Sequence, residues 1–259
     1  MHPQRPLALV IAWTGAAIFA ASLAWFVHGY LFRYGQPAPA GPIAGPLLTN
    51  VLLFSAFALH HSVLARSGAK RVVHRIAPPA LERSLYTWVA SVLFLAVCTW
   101  WQPVPGVVYA LTGPWRFLGW AVQLAGIALT IQASHALDVL DLAGVRAVAR
   151  PAGVRAVARP AGVRAGMRPA NAHGRDGQNP PLTTRGLYAL VRHPLYFAWT
   201  LFVFGAPTMT GTRAAFAIVS TAYLMIAIPW EERGLVATFG DEYQAYRRRV
   251  KTRMIPWVY

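Results

Sequence analysis

Six apolar runs dominate this chain and leave few architectures open to it. Leu7 to Phe32, Ile43 to Leu64, Leu85 to Trp101 and Phe117 to Leu137 carry few or no charges, and a helix that crosses a bilayer needs about 20 such residues. Leu195 to Thr210 and Ala214 to Trp230 are shorter and are broken by Gly205, Pro207 and Gly211. That pair suits two tilted helices or a hairpin that enters and returns. Composition agrees: 56% of residues are hydrophobic and 12% charged, against about 25% charged in soluble domains. The expected fold is all-α, a polytopic membrane helix bundle with four full spans, a C-terminal helical hairpin and an amphipathic tail helix.

The basic residues test this layout independently. Arg33, Arg116 and Arg213 fall in the odd connections, and the other 21 Lys and Arg fall on the opposite side. By the positive-inside rule both termini are expected in the cytoplasm of a bacterial-type inner membrane. The net charge of +16 is therefore mostly a topology signal. It is divided among loops between apolar helices, unlike the basic face of a soluble nucleic-acid-binding domain, so no nucleic-acid partner is expected and contact with anionic membrane lipid is.

The first run is longer than the apolar core of a signal peptide and is not promptly followed by a small-residue cleavage site, so an uncleaved helix is expected. Cys98, the single cysteine, reads as a small core residue. AGVRAVARP at 143–151 returns unchanged at 152–160 and nearly so at 161–169, units too short for a solenoid. With the turn-forming stretch NAHGRDGQNPP after it, this reads as a cytoplasmic loop whose length does not matter to the chemistry. Three parts are expected: 1–142 as N-terminal transmembrane helices, 143–184 as an Arg/Pro-rich loop, and 185–259 as a ligand-binding hairpin and tail.

Chemistry is expected where ionisable groups lie against apolar helices, because such groups need a partner, a cavity or a ligand. Of eight acids, Glu82 reads as a first-turn residue, and Asp241 and Glu242 open a final helix after Gly240. Glu231 and Glu232 end the last apolar run after Pro229 and Trp230, and one reading is a helix end facing water. At the other end of the hairpin stand Arg192, His193 and Pro194, the proline suited to a first helical turn. Opposite charges then meet at one mouth, beside Tyr188, Tyr196, Tyr243 and Tyr246. Carboxylates, a cation and aromatic rings suit a ligand with a planar base, hydroxyls and mixed charges.

These strings carry a resemblance. GLYALVRHPLY, GAPTMT, STAYLMIAIPWEERGL, FGDEYQAYRRRV and IPWVY resemble the integral membrane methyltransferases, which include isoprenylcysteine carboxyl, phospholipid and methanethiol methyltransferases. FALHHSVLAR and ERSLYTWVAS more distantly resemble the methanethiol enzymes and membrane proteins associated with nitrite and nitric oxide reduction. The resemblance implies S-adenosylmethionine as cofactor. It implies a pocket with Tyr188, Arg192, His193, Pro194 and Tyr196 on one wall, Glu231 and Glu232 on another, and Tyr243, Tyr246 and Arg247 on a closing helix. The implied acceptor is a small thiol, or an isoprenylcysteine carboxylate or other lipidic group. SHALDVLD at 134–141 is where substrate contacts are expected.

Direct attack of the acceptor on the donor methyl asks the protein for orientation and exclusion of water. A thiolate is favoured beside cations, so Arg192 and His193 are the catalytic candidates, His193 with a structural role as the alternative. The rival to an enzyme is a non-catalytic accessory protein of the same fold. A transporter would show repeated halves with broken helices at matching places, and only one broken pair is found. His60 and His61 are adjacent and point about 100° apart on a helix, unlike same-face metal pairs. No metal is expected; one histidine is assigned to interhelical hydrogen bonding and the other to pocket lining.

Overall fold

The computed structural model describes residues 5–63, 78, 81–135, 140, 144–149 and 182–259. Most of the repeat loop and of the segment 134–141 lies outside the described residues. The regular structure of the described chain is helical apart from two short strands. Its elements are α1 (Arg5–His28), continued by a π-turn (Gly29–Arg33), α2 (Ala44–Val63), α3 (Glu82–Trp100), β1 (Val107–Ala110), α4 (Pro114–His135), α5 (Val145–Ala149), a 3-10 turn (Gly186–Ala189), α6 (Pro194–Phe204), β2 (Thr208–Thr210), α7 (Gly211–Phe239) and α8 (Asp241–Arg249). Among the described residues three helical stretches are long and apolar enough to cross a membrane: Pro6–Arg33, Glu82–Trp100 and Gly211–Phe239. Ala44–His60 and Pro194–Phe204 are shorter apolar helices.

The chain divides into two compact units. The first contains residues 1–107, 139–158 and 210–215. In it α1 and α2 each pack on α3, joined by ring contacts of Phe94 with Phe26 at 5.4 Å and Phe57 at 5.3 Å. The face of α3 turned inward carries Ser84, Thr87, Ser91 and Cys98, at helical spacing. Val145 and Val148 of α5 pack on Ala12. Gly144 introduces α5 with φ +80° and stands so close to Ser84 that a Cβ would lie 2.5 Å from its Oγ; only glycine meets both conditions without strain.

The end of α1 is fastened from a distant part of the sequence. Arg213, 3% exposed, donates from Nε to Tyr30 O at 3.0 Å and from Nη2 to Leu31 O at 2.7 Å, and lies over the Tyr30 ring. Thr210 donates to the Tyr34 carbonyl, 2.5 Å. Arg33 and Tyr34 both donate to Cys98 O. A helix end leaves carbonyls without intrahelical partners, and these side chains supply the donors. Arg213 and Arg33, placed in outward connections by the charge pattern, thus serve as ties within the fold.

The second unit contains residues 108–138, 159–209 and 216–259. Here α4 packs on α6 across Gly126, where a Cβ would stand 2.4 Å from the Phe202 backbone nitrogen; the absent side chain lets the backbones meet. Gln123 donates to Phe202 O at 3.2 Å. β1 and β2 pair as a two-stranded sheet, a feature not expected from the sequence, and Leu111 N–H extends the pairing to Pro207 O at 2.8 Å. Trp199 of α6 donates to Ser220 of α7 at 3.1 Å. The last expected apolar run, read as short, belongs to the 29-residue α7. That helix passes through Pro229 and continues beyond Glu231 and Glu232, so the two acids do not stop it. Gly240, with φ +53°, separates it from α8.

Candidate active site

The site is assembled in the second unit where the entry to α6 meets α7 and the tail. Pro194 occupies the first turn of α6, as the sequence reading expects, and disfavours the helical conformation at His193, which stands at φ −122° and ψ 68°. The backbone before the helix is therefore available to other partners. Arg192 N–H donates to Thr252 O at 3.0 Å and His193 N–H to Arg253 O at 2.8 Å. The Thr252 hydroxyl donates to Leu190 O at 2.6 Å. Two residues of the tail, Thr252 and Arg253, are thus stapled to the segment that carries the RHP motif.

Glu232 is 3% exposed and organises the cluster. Arg192 donates from Nε to its Oε1 at 2.6 Å and from Nη1 to the carbonyls of Val250 and Lys251, each at 2.7 Å. Glu232 Oε2 faces Arg247 Nε at 3.7 Å and Arg253 Nε at 3.9 Å. A buried carboxylate is tolerated only with such compensation. Glu231, one residue away and so about 100° round the helix, accepts a hydrogen bond from the Tyr196 hydroxyl. His193 stacks on Tyr196 at 5.4 Å and 8° between planes. Its Nδ1 lies 3.5 Å from Glu231 and its Nε2 3.5 Å from Glu232. The Nε2 atom is buried and has no hydrogen-bond partner among the described residues.

The tail closes over this cluster through a second, apolar layer. Tyr243, Tyr246 and Val250 are buried against Leu182, Tyr188, Leu235, Val236 and Phe239. Tyr246 donates to Tyr188 O at 2.7 Å. Burial raises the phenols of Tyr188, Tyr243 and Tyr246 well above their ordinary range, so all three remain neutral hydrogen-bond donors. Only one of these hydroxyls, that of Tyr243, is buried with no hydrogen-bond partner among the described residues.

The structure brings all ten residues singled out by the sequence into one neighbourhood, with unequal positions. Arg192, His193, Tyr196, Glu231, Glu232 and Arg247 form the charged cluster, Tyr243 lies beside it, and Tyr188 and Tyr246 support it from the apolar layer. Pro194 acts through the backbone. Sequence reasoning missed Arg253, and with it Thr252; the available signal was a lone cation inside the otherwise apolar end TRMIPWVY. The His60 ring stacks on Tyr86 at 5.5 Å, and both its nitrogens lack a hydrogen-bond partner among the described residues, so of the two histidines it is not the one assigned to hydrogen bonding. The side chains of His61 and His135 lie outside the described residues. Among the described residues no group of three His, Cys, Asp or Glu is placed to hold a metal.

Helices of membrane-spanning length and a buried charged cluster built on one of them, α7, define a helical membrane protein with a built polar site. The phospholipid methyltransferase family matches residues 173–242. The methanethiol S-methyltransferase of Mycobacterium tuberculosis is 32% identical over 251 residues, 94% of this chain and 94% of that protein. Methanethiol S-methyltransferase 2 of Bradyrhizobium diazoefficiens is 32% identical over 93% of this chain and 87% of its own. The protein-S-isoprenylcysteine O-methyltransferase of Schizosaccharomyces pombe is 36% identical over 72 residues, 27% of this chain and 30% of its own. No solved structure matches. The chain belongs to the membrane methyltransferases, and it is an enzyme that uses a methyl donor.

Proposed function

We propose that this enzyme moves a methyl group from S-adenosylmethionine to a small thiol, at the cytoplasmic side of a bacterial-type inner membrane with both termini in the cytoplasm. The carrying observation is the Glu232 cluster: a buried carboxylate faced by Arg192, Arg247 and Arg253, beside Glu231, His193 and Tyr196. The donor set suits this ligand chemically. Carboxylates match ribose hydroxyls or an ammonium, guanidiniums match a carboxylate, and rings match an adenine. The orphaned Nε2 of His193 and hydroxyl of Tyr243 are buried polar groups that a ligand would satisfy. Near-full-length similarity to methanethiol S-methyltransferases supports the thiol, whereas the isoprenylcysteine enzyme is similar over 72 residues, 27% of this chain.

When bound, S-adenosylmethionine supplies an electrophilic methyl on a sulfonium. The chain's own residues orient and desolvate the reactants. Arg192 has its Nε and Nη1 engaged by Glu232 and two carbonyls, which favours a positioning role with a long-range cationic field. His193 Nε2 stands 3.5 Å from Glu232 and makes no hydrogen bond among the described residues, which makes it the group to take a thiol proton or stabilise the thiolate. The test is calorimetric titration of S-adenosylmethionine into detergent-purified protein, with Glu232→Gln and Arg192→Lys variants that keep the wild-type unfolding profile. Saturable binding weakened in both variants, followed by turnover of methanethiol, is expected. Folded wild-type protein that binds no donor would sink the reading.

A further inference from the structure

The polypeptide after α8 carries a cation, Arg253, to which neither the sequence pattern nor the family likeness assigns a role. Arg253 is bound on three sides. Its carbonyl accepts from His193, its Nη1 donates to the Tyr259 hydroxyl at 3.0 Å, and its guanidinium stands 5.1 Å from the Tyr259 ring centroid. Tyr259 is itself held by the backbone. Its carbonyl oxygen accepts from the N–H groups of Arg253, Met254 and Ile255 at 2.8, 2.8 and 3.1 Å, and its own N–H donates to Ile255 O at 3.0 Å. The turn needs Trp257 at φ +61°, a conformation that disfavours any residue but glycine by about 1 kcal/mol or more. A strained turn with converging hydrogen bonds thus sets the Tyr259 ring against Arg253.

The position so fixed is not one of tight pairing. Glu232 Oε1 is taken by Arg192 at 2.6 Å, whereas Arg253 and Arg247 approach Oε2 only to 3.9 and 3.7 Å, with side chains 33% and 37% exposed. These distances are long for a charge-assisted hydrogen bond of about 2.7–2.9 Å. Among the described residues, three guanidiniums stand against the two carboxylates of Glu231 and Glu232. On the half-exposed side Arg247 and Arg253 thus share one carboxylate oxygen, Glu232 Oε2, and neither is tightly paired with it, next to the carboxylate of Glu231, which suits an ammonium. The zwitterionic end of an amino acid has this complementary pair of charges.

We propose that Arg253 binds the carboxylate of the methyl donor's amino-acid end and that Tyr259 is the positioning residue that aligns its guanidinium. This rests on S-adenosylmethionine being the donor. The experiment compares calorimetric affinities of the full-length wild-type protein for S-adenosylmethionine and for its decarboxylated analogue, then repeats both titrations on Arg253→Gln and Tyr259→Phe. Loss of a charge-assisted contact predicts that the wild type binds the complete donor about tenfold or more tighter. Arg253→Gln brings the two affinities within about threefold by weakening the complete donor alone. Tyr259→Phe lowers the discrimination part of the way. Should Arg253→Gln not fold, Tyr259→Phe, which deletes one hydroxyl, carries the test. Discrimination kept at the wild-type level in the folded variants, or absent from a wild type that binds both ligands, overturns the assignment of Arg253 alone. A wild type that binds neither ligand overturns the donor reading and this proposal with it.

Discussion

Two buried arginines, one in each unit, fasten distant parts of the sequence and do so with different partners. Arg213 reaches the carbonyls of Tyr30 and Leu31 and the face of the Tyr30 ring. Arg192 reaches the carbonyls of Val250 and Lys251 and, in addition, the carboxylate of Glu232. Carbonyl partners satisfy the donors of a guanidinium and hold a chain segment in place. A carboxylate partner also sets up a local charge balance, and around Glu232 that balance involves His193, Arg247 and Arg253 as well. Burial of an arginine is therefore a poor guide to function by itself. What separates a tie from a site is whether the surrounding charges are arranged to accept one more charged group.

The largest effect that sharpens this contrast is expected from Arg192→Ala. It leaves Glu232 buried with guanidiniums no closer than 3.7 Å, and breaking a buried pair in this way costs about 3–5 kcal/mol. Thermal unfolding in detergent should show a large drop and donor binding should vanish; near-wild-type stability would mean that the pair is not central. Arg213→Lys comes next. One ammonium cannot reproduce the guanidinium fork on two carbonyls, so about 1–3 kcal/mol of stability is lost, while donor affinity stays within about twofold in the protein that remains folded. Collapse of affinity there would break the comparison. Tyr196→Phe is the mildest: it deletes the hydroxyl on Glu231 and keeps the stack on His193. A neutral donor to a carboxylate at this partly buried position is worth about 1 kcal/mol, seen as a several-fold fall in kcat/KM with little change in unfolding temperature.

Local signals were legible where local chemistry decides. Pro194 as a first-turn residue, Gly240 before α8, and Glu82 in the first turn of α3 each follow from backbone preferences of a few adjacent residues. The site was legible in part because its members are chemically costly in an apolar chain: Arg192, His193, Glu231 and Glu232 need partners wherever they fall. The course of α7 through Pro229 and both acids was not legible, because a proline and two carboxylates look like a stop until the cations that compensate them are known. Arg253 is 21 positions from Glu232 and sits in a tail whose basic residues read equally well as a topology signal. Arg213 read as an outward loop charge for the same reason.

The sequence by itself determined the class of protein: long uncharged runs dictate membrane helices, and the charged residues at the ends of the last two mark the place of chemistry. Only the tertiary structure decided which charge meets which. Hydropathy is a sum over neighbours in sequence and survives being read in one dimension, whereas an ion pair depends on separations of a few ångströms between residues tens of positions apart. The return of the tail, which puts the carbonyls of residues 250–253 on Arg192 and His193, exists only once the helices have packed.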